Sequence, residues 1–420
     1  MKLTFPYIFK ANNTQKEIIE EIMWHCEKVY NMLNYDIYQG TETISLKNNI
    51  NVQSSKIYKK YRELNWHSKY LHSHTLQETI LNCISDHKSY MSLKEKYDNG
   101  DKSIKGEPRN PRYKNSGKIQ ITFTKYAIRF EGNTLKLSIS KEMQKKFKVK
   151  SLNFLIPRRL KKLIDFSAIK MIKIRKEKEN KYKMEMIYER EEKAKEGTNV
   201  MAIDLGLDNL ATCTNMNNNE TLIIAGENAK SKIGYYNKEI GRLQGIQMKM
   251  TGNKKYKNTK QIEKLYRKRK QYCHTYMHKA SRMIVNYAIE NECDRIIIGN
   301  IKNIKQEMKK NKRFVQMPIQ ELVKKIEYKA KLEGKEVILI EEKYTSGVSS
   351  IDKEEINKEN YDKTRRIERG LFRTNTGKII NSDINGSLNI LRKYVKSFSP
   401  NLEIAMDIGR EQRPIKKRVA

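Results

Sequence analysis

Val200-Met-Ala-Ile-Asp204-Leu-Gly206-Leu-Asp208-Asn-Leu210 is the stretch on which the reading of this 420-residue chain turns. Val200 to Ile203 is a short apolar run of the kind that makes a buried strand, and Asp204 closes it. Gly206 lets the chain turn into a second apolar segment, Leu210 to Thr214. Far downstream, Asn381-Ser-Asp383-Ile-Asn385-Gly386-Ser places Asp383 where a helix should begin, ahead of Leu388-Asn-Ile390-Leu. Two aspartates at the ends of rigid elements are what a divalent-metal phosphodiesterase needs. Carboxylate oxygens suit a hard cation, so magnesium is the expected metal.

Outward from Val200, strands and helices alternate, which predicts an α/β sheet. Val200–Asp204, Leu210–Thr214 and Leu222–Ile224 read as a three-stranded meander. A long basic helical region follows over about 227–292, carrying Arg267-Lys-Arg-Lys270 and His278-Lys-Ala-Ser-Arg282. Arg295–Ile298 is a predicted buried strand. The predicted helix Ile319–Leu332 stops at Gly334, and Val337–Ile340 is the next strand. Meander, helix, strand, helix, strand, helix is the order of the ribonuclease H-like fold.

The first half reads differently. A short strand-like start leads to a helix with Thr14 and Glu17 as its capping box and Ile18, Ile22, Val29, Leu33 and Ile37 along one face. A second helix is expected from Thr75, with Glu78 in its cap and Leu76, Ile80, Ile84 and Leu93 on its stripe. The Gly- and Pro-rich run Asp98 to Tyr113 reads as a boundary loop. Ile119–Phe123, Ala127–Phe130 and Leu135–Ile139 alternate as strands do, and Ile169–Arg175 with Tyr182–Tyr188 bracket a hairpin turn at Glu177-Lys-Glu-Asn180. Residues ~110–195 therefore read as a small antiparallel barrel or sandwich. The cluster Arg158-Arg159-Leu-Lys161-Lys162 is either a phosphate-binding stripe or a solvated charged face.

Lys and Arg number 86 against 49 Asp and Glu, a net charge of +37. So basic a chain repels itself unless a polyanion neutralises it, and nucleic acid is the leading partner because phosphate contacts release counterions. An anionic membrane surface is the lesser alternative, since there is no basic amphipathic helix with aromatic anchors. No apolar run approaches the roughly 20 residues of a membrane span. The odd set Cys26, Cys83, Cys213, Cys273 and Cys293 contains no Cys-x-x-Cys pair. With no signal-peptide core at Met1-Lys-Leu-Thr-Phe-Pro, a reduced, cytoplasmic protein is expected.

These residues carry a resemblance. Ile203-Asp204-Leu-Gly206, His278-Lys-Ala-Ser281-Arg, Tyr344-Thr345-Ser346 and Asp383-Ile-Asn385-Gly386-Ser-Leu-Asn389-Ile resemble the RuvC-like nuclease domain of TnpB, the RNA-guided endonuclease of insertion sequences. They also resemble the miniature type V CRISPR effectors related to it. The likeness is strongest over about 198–395. It implies a multidomain α+β chain. A β-rich wedge domain (1–10 and 110–198) would hold an inserted helical recognition domain (11–109). A ribonuclease H-like (RuvC) nuclease domain (199–343 and 381–397) would follow, with a zinc-ribbon-like insert (344–380) and a C-terminal tail (398–420).

The chain departs from the family twice. The family places a catalytic Glu at the end of the strand that here reads Ile296-Ile-Ile298-Gly299-Asn300, and Gly299 stands in its place. The next strand ends Ile340-Glu341-Glu342-Lys343-Tyr344. Neighbouring strands lie about 4.8 Å apart, so a carboxylate there can reach a metal pair whose ions are about 3.5–4 Å apart. Glu342 is the candidate, in phase with Ile338 and Ile340, whereas Glu341 points to the other face. Two exposed glutamates at a strand end remain the alternative. The second departure is at the insert. By spacing, its zinc-ligand positions are Ser349, Asp352, Arg373 and Thr376, which suit zinc poorly. No structural zinc is expected, and Leu371 and Phe372 are expected to hold the insert by apolar contacts.

The resemblance thus implies a magnesium-dependent RNA-guided DNA endonuclease that cuts beside a short flanking motif. Asp204, Glu342 and Asp383 would serve as catalytic residues and metal ligands, and the partners would be a guide RNA and double- and single-stranded target DNA. A miniature type V effector, a guided DNA-binding regulator that does not cut, and a strand-joining transposase are the rivals. Nothing in the chain offers the context for strand joining. Monomer and dimer both stay open.

Overall fold

The computed structural model describes residues 1–101, 103–115, 117, 119–157, 160, 165–193, 197–218, 220–252, 258–300, 317–368, 370–399 and 415–419. The Arg158–Lys162 cluster lies outside them apart from Leu160. The architecture is mixed α+β with several sheets, in two units, Met1–Arg190 and Glu191–Ala420.

In the first unit, β1 (Lys2–Lys10) leads into α1 (Asn13–Tyr38). The capping box is there, but two residues earlier than expected. Asn12 accepts from the Gln15 amide at 2.8 Å, and the Gln15 side chain accepts from the Asn12 amide at 3.0 Å. Asn and Gln satisfy these orphan amides as well as Thr and Glu would. The helix α2 (Ile50–Leu64) has no counterpart in the sequence reading. Its buried face is Gln53, Ser54, Ile57 and Tyr61, half of it polar, so no apolar stripe marks it. Gln53 earns that burial by donating to the carbonyls of Ser45 and Asn48 and accepting from the Ser45 amide.

The next helix, α3 (Ser73–Asp98), starts before Thr75, which is not its cap. Thr75 instead donates to the Thr122 carbonyl at 3.0 Å and ties the helix to β2 (Ile121–Thr124). Leu76, Ile80 and Ile84 are buried, while Leu93 is exposed because the helix outruns its core. After β2 come β3 (Ile128–Glu131), β4 (Thr134–Ser138), the short α4 (Lys141–Phe147), β5 (Ser151–Leu155), β6 (Ile169–Lys178) and β7 (Lys181–Glu189). These strands form two sheets, β1-β7-β6-β2 and β3-β4-β5. The β6–β7 hairpin turns at Glu179-Asn180, with Asn180 in the left-handed region (φ 56°).

In the second unit, β8 (Val200–Leu205), β9 (Asn209–Asn215) and β10 (Thr221–Ala225) form the expected meander. The basic region is two helices, α5 (Glu227–Thr251) and α6 (Lys260–Glu290), broken where Gly252 takes φ 65°. Then follow β11 (Arg295–Asn300), α7 (Ile319–Leu332), β12 (Glu336–Glu341), β13 (Leu371–Arg373), β14 (Ile379–Asn381) and α8 (Ser382–Tyr394). The stretch expected as a tail supplies a strand, β15 (Ile415–Lys417), paired in parallel with β10. Only three residues long and two of them Lys, it carries no pattern that a sequence reading could detect.

The six-stranded sheet runs β12-β11-β8-β9-β10-β15. Alternation sends Val200, Ala202 and Ile297 to one face, against Ile390 and Leu391 of α8. Met201, Ile203, Ile296 and Ile298 go to the other, against Met277, Ala280 and Ile284 of α6 and Leu322 and Ile326 of α7. Both faces are covered, which is why these strands read as continuous apolar runs. Phase also decides the site. Asp204 continues the Val200–Ala202 face and Gly299 continues that of Ile297, so both look toward α8.

Candidate active site

Asp204 ends β8, and α8 crosses that face with Gly386 directly over it. A Cβ on residue 386 would lie 2.5 Å from Asp204 Oδ2, so only glycine leaves the carboxylate its place. The remaining polar residues of the same motif fasten the helix. The Ser387 hydroxyl donates to the Ala202 carbonyl at 3.1 Å and lies 2.9 Å from the Thr214 hydroxyl. Asn385 and Asn389 donate to the Val348 carbonyl at 2.9 and 2.7 Å, fixing the loop after β12.

Asp383 sits in the first turn of α8, where the helix dipole favours a negative charge. Asn381 caps that turn, accepting from the amides of Asp383 and Ile384 at 3.0 and 3.1 Å. Asp383 Oδ2 accepts from the Asn209 side chain at 2.7 Å, and Oδ1 lies 4.0 Å from the Arg366 guanidinium.

Glu342 follows β12 directly. Parallel pairing sets Gly299 beside Ile340, and Ile338 and Ile340 pack toward α8, so the phase carries Glu342 to that face too. A Cβ on residue 299 would meet Glu342 Oε2 at 2.3 Å and Ile390 Cδ1 at 2.9 Å. The carboxylate therefore fills the space that a side chain on the neighbouring strand would take. The Tyr344-Thr345-Ser346 turn holds it there: Tyr344 adopts φ 71°, and the Thr345 hydroxyl donates to the Glu342 carbonyl at 2.7 Å. Glu341 is exposed, and its carbonyl accepts from Lys393 at 2.7 Å.

All three carboxylates line one cavity of about 570 Å³, with Glu341, Thr345, Tyr361 and Arg366 on its walls. Burial, then the charges of Glu342 and Asp383, push the Asp204 carboxyl well above its usual range against the pull of Arg366. Burial pushes Glu342 up to about 7. Glu342 Oε2 is buried with no hydrogen-bond partner among the described residues. As they stand, no three His, Cys, Asp or Glu side chains among the described residues are grouped to hold a metal ion. Asp383 faces Asn209 and Arg366 instead. The donor set still fits a hard cation: an orphaned carboxylate oxygen, two glycines that clear the space, and only oxygen ligands.

Arg366 and Asn209 belong to this site, yet nothing in the sequence reading marked them. His278 and Ser281 lie elsewhere, in the seam between α6 and α7. There the buried Lys329 donates to the Ser281 hydroxyl at 2.8 Å and to the His278 carbonyl at 2.5 Å.

The fold and the cavity define a mixed α+β protein with carboxylates gathered at strand and helix ends. A family model described as OrfB_IS605, probable transposase, matches residues 177–305. A model described as the Cas12f1-like TNB domain matches 320–390. The "TnpB-like protein ORF457" of Acidianus two-tailed virus is 28% identical over 204 residues, covering 47% of this chain and only 42% of the viral protein. The structure of a Cas12f1–sgRNA–target DNA complex aligns at a TM-score of 0.61 and 17% identity, over 89% of this chain and 82% of that one. Over residues 177–305 and 320–390 the chain is thus similar to the OrfB_IS605 transposases and to the TNB domain of Cas12f1-like proteins, and it shares the fold of Cas12f1. Among the described residues, no helix is long and apolar enough to cross a membrane.

Proposed function

We propose that this chain is the RNA-guided DNA endonuclease of an insertion sequence, cutting target DNA beside a short flanking motif. One observation carries the reading: Asp204, Glu342 and Asp383 line a single cavity, with Glu342 seated over the glycine that replaces the expected carboxylate. In this reading residues 199–343 and 381–397 form the RuvC-like nuclease, 1–10 and 110–198 the wedge, and 11–109 the recognition domain. Base pairing with a guide RNA would read the target sequence, and the Lys and Arg excess would grip the heteroduplex backbone.

Asp204, Glu342 and Asp383 would hold magnesium, which when bound would supply Lewis-acid polarisation of the scissile phosphate and activation of water. Asn209 holds the Asp383 carboxylate in orientation. Arg366, on the cavity wall, offers the phosphate a guanidinium. Thr345 fixes the backbone from which Glu342 projects. A guided regulator that binds without cutting is the second reading, favoured by Gly299, which stands where a carboxylate is expected.

The test is a purified RNA-bound complex on a labelled duplex carrying the guide-matched sequence, with magnesium or with chelator. Cutting only with magnesium supports the nuclease; tight, guide-dependent binding with no cutting supports the regulator. Sequencing the bound RNA separates a transposon-end transcript from a CRISPR-array guide. The protein should also purify with RNA, because a net charge of +37 needs a polyanion. Unchanged solubility and melting temperature after exhaustive nuclease treatment at low salt would contradict that.

A further inference from the structure

By spacing, Ser349, Asp352, Arg373 and Thr376 hold the four zinc-ligand positions of the insert, but the structure fills their midst with a knot of ions. Arg365 Nη1 lies 2.8 Å from both carboxylate oxygens of Glu354, and Nη2 lies 3.4 Å from Asp352 Oδ2. Its Nε donates to the Arg373 carbonyl at 3.0 Å, and the guanidinium lies 4.8 Å from the centroid of the buried Phe372 ring. The Arg365, Asp352 and Glu354 side chains are only 12–13% exposed. Backbone amides complete the carboxylates: Ser349 donates to Glu354 and Asn375 to Asp352, each at 2.7 Å. Arg392 of α8 donates to the Glu354 carbonyl at 2.8 Å. Phe372 is buried as the sequence reading expected, but apolar contact is only part of what holds the insert.

One guanidinium thus joins segments 349–354 and 372–375 to its own loop, as a structural metal would. Its planar fork of donors makes this work, and a lysine's single point charge could not replace it. The next residue is Arg366, which reaches Asp383 in the candidate active site.

We infer that Arg365 takes the place of a structural metal in this insert and, by setting the loop, seats Arg366 at the carboxylate cavity. Arg365 is then a positioning residue. Its consequence for cutting rests on the nuclease reading; its hold on the insert does not.

The experiment compares wild type, Arg365→Lys and Arg365→Met as RNA-bound complexes. Elemental analysis should find no stoichiometric zinc. Amide exchange across 349–376 should quicken about tenfold or more in both variants, since local opening loses its main tie. Manganese, followed by electron paramagnetic resonance, should bind about threefold more tightly once Arg366 no longer competes for the carboxylates. Cleavage at saturating target should fall about 30-fold, as a small misplacement of a reacting group costs, with target affinity within about threefold. One zinc per chain, unchanged exchange in both variants, or a loss seen only as weaker target binding would each overturn the inference. If wild type does not cut but the exchange difference appears, the nuclease reading fails and the knot stands.

Discussion

Guided cleavage should fall at least ~1,000-fold in Asp204→Ala and in Asp383→Ala, while target binding stays near wild type. That is the upper end of the loss for removing a principal electrostatic contact of the transition state. Neither carboxylate should be needed for folding. Asp204 is held where burial and two neighbouring carboxylates disfavour its charge, so its removal relieves repulsion. Asp383 lies in a turn that Asn381 caps independently of it. Filter binding to a guide-matched duplex, run beside single-turnover cleavage, separates the two effects. Cutting near the wild-type rate by either variant would remove that residue from the catalytic set.

Glu342→Gln should reduce magnesium-dependent cleavage at least ~100-fold with binding preserved, and Glu341→Gln should have little effect. Two divalent ions held close together repel, and two aspartates alone supply too little negative charge against that. Glu342 is the carboxylate in phase with Ile338 and Ile340, and its Oε2 is buried without a partner. Its seat depends on Gly299. Gly299→Ala would set a methyl 2.3 Å from that oxygen and 2.9 Å from Ile390, so it should depress cleavage even with Glu342 intact. Pairing Glu342→Gly with Gly299→Glu opens that space and should recover part of the activity lost by Glu342→Gly alone. An essential Glu341 beside a dispensable Glu342 would show the phase argument to be wrong.

Much of the candidate site was legible in the sequence because its parts sit at the ends of regular elements. A continuous apolar run closed by Asp204 located one strand end, and Asn381-Ser-Asp383 located a helix start. The two-residue period of Ile338 and Ile340 chose Glu342 over Glu341. The motif from Asp383 to Ile390 was legible as a motif, though its reasons were not. Only packing shows that Gly386 clears space for Asp204 while Ser387 fastens α8 to β8.

What the sequence by itself determined is therefore local: which runs are buried, where they end, and which residues of a run share a face. Periodicity encodes those things because burial acts residue by residue along an element. The helix α2 escaped that code because hydrogen bonds rather than apolar surface bury its Gln53 face. The strand β15 escaped it through brevity and two lysines. Tertiary structure alone decided that Arg366 and Asn209 flank Asp383, and that Arg365 ties Asp352 to Glu354. Those contacts join segments far apart in the chain through loops of no fixed period, and charge partners meet at a distance that only the folded path sets.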